Sequence, residues 1–292
     1  MKKINGYQVF TFFNYIFMIF ITLITLYPIW HVIVASFSDP TKLFVHSGTL
    51  LWPLGEPTLS AYEMVFSHRM ILSGFRNTLF ILVVGVIVNL IFTMLGAFFM
   101  SVKGPMFSDA FGYMVIISMY FSGGLIPTYL NIVSLGLLDS IWSLIIPCAI
   151  STSNMIIMKS AFTAVPNSLV ESALLDGANY GQVLVKIMVP LCKATIAVLV
   201  LYYGVAHWNS WFSASIYLRD AGKYPVQLVM QQIMNALNMG GGVGGAEADD
   251  AALMAQQMQY ALIVVVSMPI MMVYPFIQKY FVKGVMIGAV KG

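Results

Sequence analysis

Seven stretches of this chain run for 19 residues or more without an Asp, Glu, Lys or Arg, and six of them are mostly apolar: residues 4–38, 77–102, 110–138, 140–158, 194–218 and 251–278. Each is long enough to supply the roughly 20 residues that a helix needs to cross a hydrocarbon core. A soluble domain carries roughly a quarter charged residues. Here the share is 9%, against 60% hydrophobic, so charge is being kept out of long segments. A seventh charge-free window, 224–246, is rich in Gln, Asn and Gly and is not read as a span. The pattern predicts an all-α integral membrane protein with six transmembrane helices in one domain, over about 12–34, 77–101, 110–131, 140–160, 193–214 and 259–280. Residues 35–75 and 219–250 become outer segments, and 165–190 an inner loop. The first window follows Lys2 and Lys3 but is far longer than the apolar core of a signal peptide, so it is read as a retained helix.

Lys and Arg placement sets the direction. With the N-terminus inside, the inner segments hold nine of the 14 basic residues and the outer segments five, while eight of the 11 acidic residues fall outside. Both termini and the loop at 165–190 then face the cytoplasm. The basic balance reflects this bias and does not point to nucleic acid. Cys148 falls in the fourth window and Cys192 at the inner end of the fifth, so both are read as packing residues with no disulfide.

The inner loop is unusually ordered for a connection. Pro166, Ser168 and Glu171 predict a helix opened by a capping box. Asp176-Gly177 breaks the periodicity, because glycine accepts backbone conformations that a Cβ resists. Asn179 can cap a second helix carrying Val183, Ile187 and Met188 on one side, and Pro190 marks its kink or end. The string Glu171-Ser-Ala-x-x-Asp176-Gly177-Ala178 with Ile187-x-Val-Pro190 resembles the EAA loop of the permease subunits of binding-protein-dependent ABC importers. Ser172 stands where that pattern has Ala, and Val189 where it has Leu. The resemblance implies the type I ABC importer permease fold. It makes Glu171, Ser172, Ala173, Asp176, Gly177, Ala178, Ile187 and Pro190 the elements that couple to a cytoplasmic ATPase. Glu171 alone is also readable as a helix cap, and the two roles are compatible.

The resemblance extends along most of the chain. Pro57-Thr-Leu-x-x-Tyr62 resembles the family's stretch before the second helix, which Arg76-Asn77-Thr78 is expected to open, with Arg76 snorkelling to the interface. Tyr120-Phe-Ser-Gly-Gly124-Leu-Ile-Pro127 puts two glycines and a proline in the third span, which favours a break in its backbone ladder. Such a break suits either a substrate path or close helix packing. Asn154 in the fourth window faces the bundle interior or a cavity on the same logic. The fifth window ends in Tyr202-Tyr203-x-x-x-His207-Trp208-Asn209, similar to the family's Trp-Asn-x-Phe signature. Sugars bind through ring faces on aromatics and hydroxyls on Asn or His, so Tyr120, Asn154, Tyr203, His207, Trp208 and Asn209 are candidate substrate-path residues. An interfacial aromatic belt is the other reading of this cluster, and Trp211 is assigned to it. Residues 225–233 read as a short surface helix and 240–250 as a flexible acidic linker. The tail from Gly284 resembles the end of sugar-type permeases, which implies an ATPase contact for Lys291.

No Gly-x4-Gly-Lys-Ser/Thr loop is present, and Gly222-Lys223 is followed by Tyr. The four histidines lack metal-ligand spacing, and no nucleophile elbow appears. Charged residues fall only at the ends of the spans as drawn, at Lys159, Lys193 and Lys279, which leaves no ion-coupled pair and no catalytic set within them, so an ion-coupled transporter and a membrane-embedded enzyme are disfavoured. The resemblance implies a transport subunit, not an enzyme. ATP and Mg would be held by a partner ATPase dimer, beside a second homologous permease and an extracytoplasmic solute-binding protein, in a prokaryotic cytoplasmic membrane. The cargo it implies is an oligosaccharide; a permease for another solute is the alternative.

Overall fold

The structure, a computed structural model, describes residues 6–102, 106–240 and 246–289. The described residues are helical with no strand among them. In order they form α1 (Gly6–Phe37), α2 (Pro40–Val45), α3 (Ser60–Ser67), α4 (Arg69–Ser101), α5 (Ser108–Tyr120) and α6 (Leu125–Ser134). A 3-10 turn (Ile141–Leu144), α7 (Thr152–Thr163), α8 (Asn167–Leu175) and α9 (Tyr180–Val183) follow. A π-turn (Leu184–Met188) leads to α10 (Val189–Leu191), α11 (Lys193–Trp208), α12 (Trp211–Tyr217), α13 (Val226–Gly240) and α14 (Ala246–Ala289). The inner turn expected at 103–105, the glycine run at 241–245 and Lys291 lie outside the described residues.

Three helical segments are long and apolar enough to cross a membrane unaided: Val9–Phe37, Arg69–Ser101 and Leu253–Val273. Two bent pairs raise the number to five if each is one span: α5 with α6, bent by 118°, and Tyr180–Leu191 with Lys193–Trp208, bent by 86°. The break in the third window falls where Gly123-Gly124 stands. Gly124 takes φ +85°, a left-handed value that a Cβ would strain, and Pro127 sits in the first turn of α6, where its missing N–H costs nothing.

Several elements differ from expectation. The second long helix begins at Arg69, not near 77, because a long cationic side chain tolerates a helix that a charge-free window cannot contain. Asn77 and Thr78 therefore do not open it. They are buried and hold another segment: Asn77 Nδ2 donates to the Gly222 and Tyr224 carbonyls at 2.7 and 3.2 Å, and Val226 N donates to Thr78 Oγ1 at 2.8 Å. The window at 140–160 is not one helix. The 3-10 turn gives way to irregular backbone around Pro147, and α7 has only 12 residues, about 18 Å of rise. Helix five stops at Trp208, short of 214. The segment after Tyr224 is more than a surface helix, since Val226, Leu228 and Val229 in the first turn of α13 are buried. The stretch beyond the glycine run, expected as a flexible linker, is helical from Ala246.

The chain forms two compact units, one of the chain up to Arg69 with Met230–Met268, the other of Met70–Val229 with the chain from Pro269. In the first, Gln257 is fully buried and its Nε2 donates to the Ser38 carbonyl at 2.8 Å and to Thr58 Oγ1 at 2.9 Å. Leu50 N donates to Tyr27 Oη at 3.1 Å, and Trp30 Nε1 donates to the Leu51 carbonyl at 3.0 Å, so the loop after α2 is tied back to α1. The apolar side chains of α1 are mostly exposed all round, as suits a helix that meets hydrocarbon. The second unit has two apolar cores. One is built on Met155, Met158, Phe162, Val183, Met188 and Leu199, the other on Ile81, Ile132, Leu144, Ile145 and Tyr217. Cys192 is buried, with its thiol toward the Ala161 carbonyl at 3.6 Å, but Cys148 is exposed and is no packing residue. Asp139 links two loops of this unit. It accepts from the backbone N–H groups of Asp220 and Arg219 at 3.0 and 2.9 Å and pairs with Lys223 at 3.0 Å. Those donors hold its carboxyl down at about 2.

Candidate functional site

The loop between α7 and α11 is folded as the sequence predicts, with one change. Asn167, not Ser168, begins α8. Pro166 takes the cap position and no side chain caps it, so the box expected between Ser168 and Glu171 does not form. At the other end Gly177 N donates to the Leu174 carbonyl at 3.1 Å and Ala178 N to the Ala173 carbonyl at 2.9 Å. These are the paired bonds of a Schellman turn, which needs a left-handed residue, and Gly177 supplies it at φ +85°. Asn179 then makes a full capping box, its Oδ1 accepting from Gln182 N and its own N–H donating to Gln182 Oε1, both at 2.9 Å. Pro190 cannot donate to the carbonyl four residues back, and the turn before it widens to the π form. The bend itself comes at Cys192.

Burial divides this loop cleanly. Val170, Val183, Leu184 and Met188 are buried in the first apolar core of their unit. Glu171, Ser172, Asp176, Gly177 and Pro190 are exposed, while Ala173, Ala178 and Ile187 are half-buried. Leu175, which sequence reasoning passed over, is 89% exposed at the tip. It stands beside the exposed carboxylates of Glu171 and Asp176.

The same unit holds a cleft of about 760 Å³. Asn154, Tyr203, His207 and Asn209 line it, so four of the six path candidates come together. Tyr120 does not line it, although Phe121 and Ser122, the next two residues, do. Trp208 turns away as well: it is buried, with its ring 6.4 Å from that of Phe75 and no hydrogen-bond partner for its indole N–H among the described residues. Asn209 partly serves its own helix, donating from Nδ2 to the Val205 carbonyl at 3.1 Å. Tyr203 Oη meets Thr93 Oγ1 at 2.6 Å, and His207 Nε2 lies 2.7 Å from Asn89 Oδ1. Asn89 and Thr93 were invisible in the sequence reading. Their spacing of four on α4 was the available signal, since two buried polar groups one turn apart on a long apolar helix share a face.

Several long apolar helices make this a multi-pass membrane protein. Its relatives say which kind. The chain is 37% identical over 288 residues to the polygalacturonan/rhamnogalacturonan transport system permease protein YtcP of Bacillus subtilis (strain 168), covering 98% of this chain and 99% of that one. It is 39% identical over 292 residues to protein LplC of the same bacterium, covering 100% of this chain and 98% of the relative. Among solved structures it matches a bacterial ABC transporter involved in the import of the acidic polysaccharide alginate. That match has a TM-score of 0.85 at 29% identity and covers 96% of this chain and 99% of that one. No protein-family model matches the chain. The chain belongs to the permease family of carbohydrate ABC importers.

Proposed function

We propose that this chain is one of two transmembrane subunits of an ATP-driven importer that carries oligosaccharide fragments of larger polysaccharides across a prokaryotic cytoplasmic membrane. The observation that carries this reading is the full-length identity with a permease named for polygalacturonan and rhamnogalacturonan. In it, six segments cross the membrane with both termini inside. The fourth crossing combines the irregular stretch at 145–151 with α7. A homologous permease completes the path, a solute-binding protein delivers the sugar, and an ATPase dimer holds ATP and Mg.

The loop at 165–190 is the coupling element in this reading. Glu171, Ser172, Ala173, Asp176, Gly177, Ala178, Ile187 and Pro190 form or shape the docked surface, with Leu175 as its apolar contact and Lys291 as a second contact from the tail. Closure of the ATPase dimer draws the docked loops together. The buried Val183 and Met188 pass that motion into the core that also holds α7 and α11. Asn154, Tyr203, His207 and Asn209 line the sugar path, while Tyr120 and Trp208 support its walls.

The test is a pull-down from detergent extract with a tag on this chain, followed by peptide identification and an ATPase assay. A second permease and an ATPase should be recovered, with hydrolysis stimulated by a binding protein loaded with trigalacturonate. Glu171→Ala should weaken ATPase recovery and Gly177→Trp should abolish it. Recovery of the chain alone, with uptake following an ion gradient, would refute the assignment.

A further inference from the structure

One wall of the cleft carries a row of polar groups whose donor and acceptor roles follow from elementary chemistry. The Cys148 carbonyl lies in irregular backbone after Pro147, outside any helical ladder, and a carbonyl can only accept. The Asn89 amide nitrogen donates to it. That leaves Asn89 Oδ1 facing His207 Nε2 at 2.7 Å. An amide oxygen can only accept, so Nε2 must carry the proton, and in the neutral ring Nδ1 is the lone-pair nitrogen. Nδ1 has no hydrogen-bond partner among the described residues, and the ring is part of the cleft wall. The ring tip is seated against α4 at Gly85, where even a Cβ would lie 2.4 Å from Nε2. Tyr202 and Phe212 add aromatic faces to the same cleft.

We propose that His207 Nδ1 is a preset acceptor for a saccharide hydroxyl, and that Asn89 is the positioning residue that sets its tautomer. This rests on the oligosaccharide reading above. A hydroxyl can donate to Nδ1, whereas a carboxylate would meet it lone pair to lone pair. The group therefore reads the hydroxyl face of a sugar ring and rejects its carboxylate face. The competing role is purely structural, with Asn89 and His207 serving only to quiet the Cys148 carbonyl.

Two substitutions separate these roles. The amide of His207→Asn reaches the place of Nδ1, and that of His207→Gln reaches the place of Nε2. Cys148 is exposed on the cleft and Cys192 is buried, so N-ethylmaleimide labelling of Cys148 reports occupancy. The experiment measures protection of Cys148 by trigalacturonate in the solubilised whole transporter, with uptake of labelled trigalacturonate and thermal midpoint alongside. His207→Gln should keep the midpoint and raise the half-protecting concentration about tenfold, the value of one hydrogen bond of about 1.4 kcal/mol. His207→Asn should lower the midpoint and stay within about threefold of wild type in protection. Asn89→Leu removes the acceptor that fixes the proton on Nε2 and should lose protection. The reverse order for the two His207 variants, or equal protection in all three variants, overturns the proposal. Wild-type uptake without protection of Cys148 overturns it while leaving the transport reading intact. Failure of wild-type uptake as well brings down the oligosaccharide reading, and this inference with it.

Discussion

Gly85 and Gly96 both lie on α4, and both would meet a neighbour if given a methyl group, yet the two substitutions should behave differently. At Gly85 the new Cβ would lie 2.4, 2.7 and 2.9 Å from three atoms of the His207 ring. Comfortable contact is about 3.5–4.0 Å, so the ring must retreat by roughly an ångström. It cannot do so and keep its 2.7 Å bond to Asn89. Overpacking costs about 1–3 kcal/mol and the lost bond about 1 kcal/mol. The better helix propensity of alanine returns about 1 kcal/mol. Gly85→Ala should therefore lose about 1–3 kcal/mol. At Gly96 the Cβ would lie 2.6 and 2.7 Å from Cε and Sδ of Met155. These are the far end of an unbranched chain with three rotatable bonds and no hydrogen bond to break. The overlap there is relieved by a rotamer change, and the propensity gain leaves Gly96→Ala near zero. Thermal unfolding of the two purified variants in one detergent tests the difference. At about 2–4 °C per kcal/mol for a chain approaching this length, Gly85→Ala should melt roughly 2–12 °C below Gly96→Ala. Equal midpoints, or a larger fall for Gly96→Ala, would show that His207 is not fixed by Asn89 in the way the geometry requires.

Three further outcomes follow from other parts of the molecule. Asn179→Ala removes the side-chain half of the capping box, the bond from Gln182 N to Asn179 Oδ1, and should cost about 1 kcal/mol; it should lower ATPase recovery in the pull-down while lowering the thermal midpoint by no more than about 2–4 °C. Gln257→Ala leaves the buried Ser38 carbonyl without its side-chain donor and should destabilise by about 2–3 kcal/mol, read as a lowered midpoint; an unchanged midpoint would mean that water replaces the amide. Asp139 has its carboxyl held from the usual 3.8 down to about 2, first by the Asp220 and Arg219 backbone N–H groups and then by Lys223. A lowered folded-state value means that its contribution is fully present above the unfolded value and disappears as pH falls through the folded one. The gap in midpoint between wild type and Asp139→Asn should thus hold steady above about pH 5 and close as the pH is taken toward 2.

How much of this was legible in the sequence depends on the kind of signal. The helix–turn–helix of the loop at 165–190 was plain because its punctuation is local: Gly177 and Asn179 act through bonds to residues at most five positions away. The break at Gly123-Gly124 was legible for the same reason. Where local signals compete, the reading slipped. Ser168 and Glu171 had the spacing of a capping box, but Pro166 fixed the entry one residue earlier. The window at 140–160 looked like a span because hydropathy counts apolar side chains and is blind to whether the backbone can pair. Pro147 was the contrary sign. The spacing of Asn89 and Thr93 marks a shared polar face on α4, but their partners His207 and Tyr203 were out of reach, more than 100 positions along the chain.

The three interruptions of the apolar windows share one destination. Phe121 and Ser122 come from the gap between α5 and α6, Cys148 and Ser151 from the irregular stretch before α7, and Asn209 and Ser210 from the turn after α11. All of them line the same cleft. Backbone that leaves a helix inside a membrane protein must find partners in side chains or water, so it is tolerated where it borders a polar cavity. Each break exposes carbonyls and amides that lipid would penalise. Asn89 satisfies one of them at Cys148, and the cleft can hydrate others. A segment that looks too polar or too interrupted to be a good span is, on this account, the part of the span that walls the cleft. His207 and Asn209 accordingly stand at the end of a helix of only 16 residues. A continuous helix through Pro147 or Gly124 would restore the backbone ladder and take these segments out of the cleft wall.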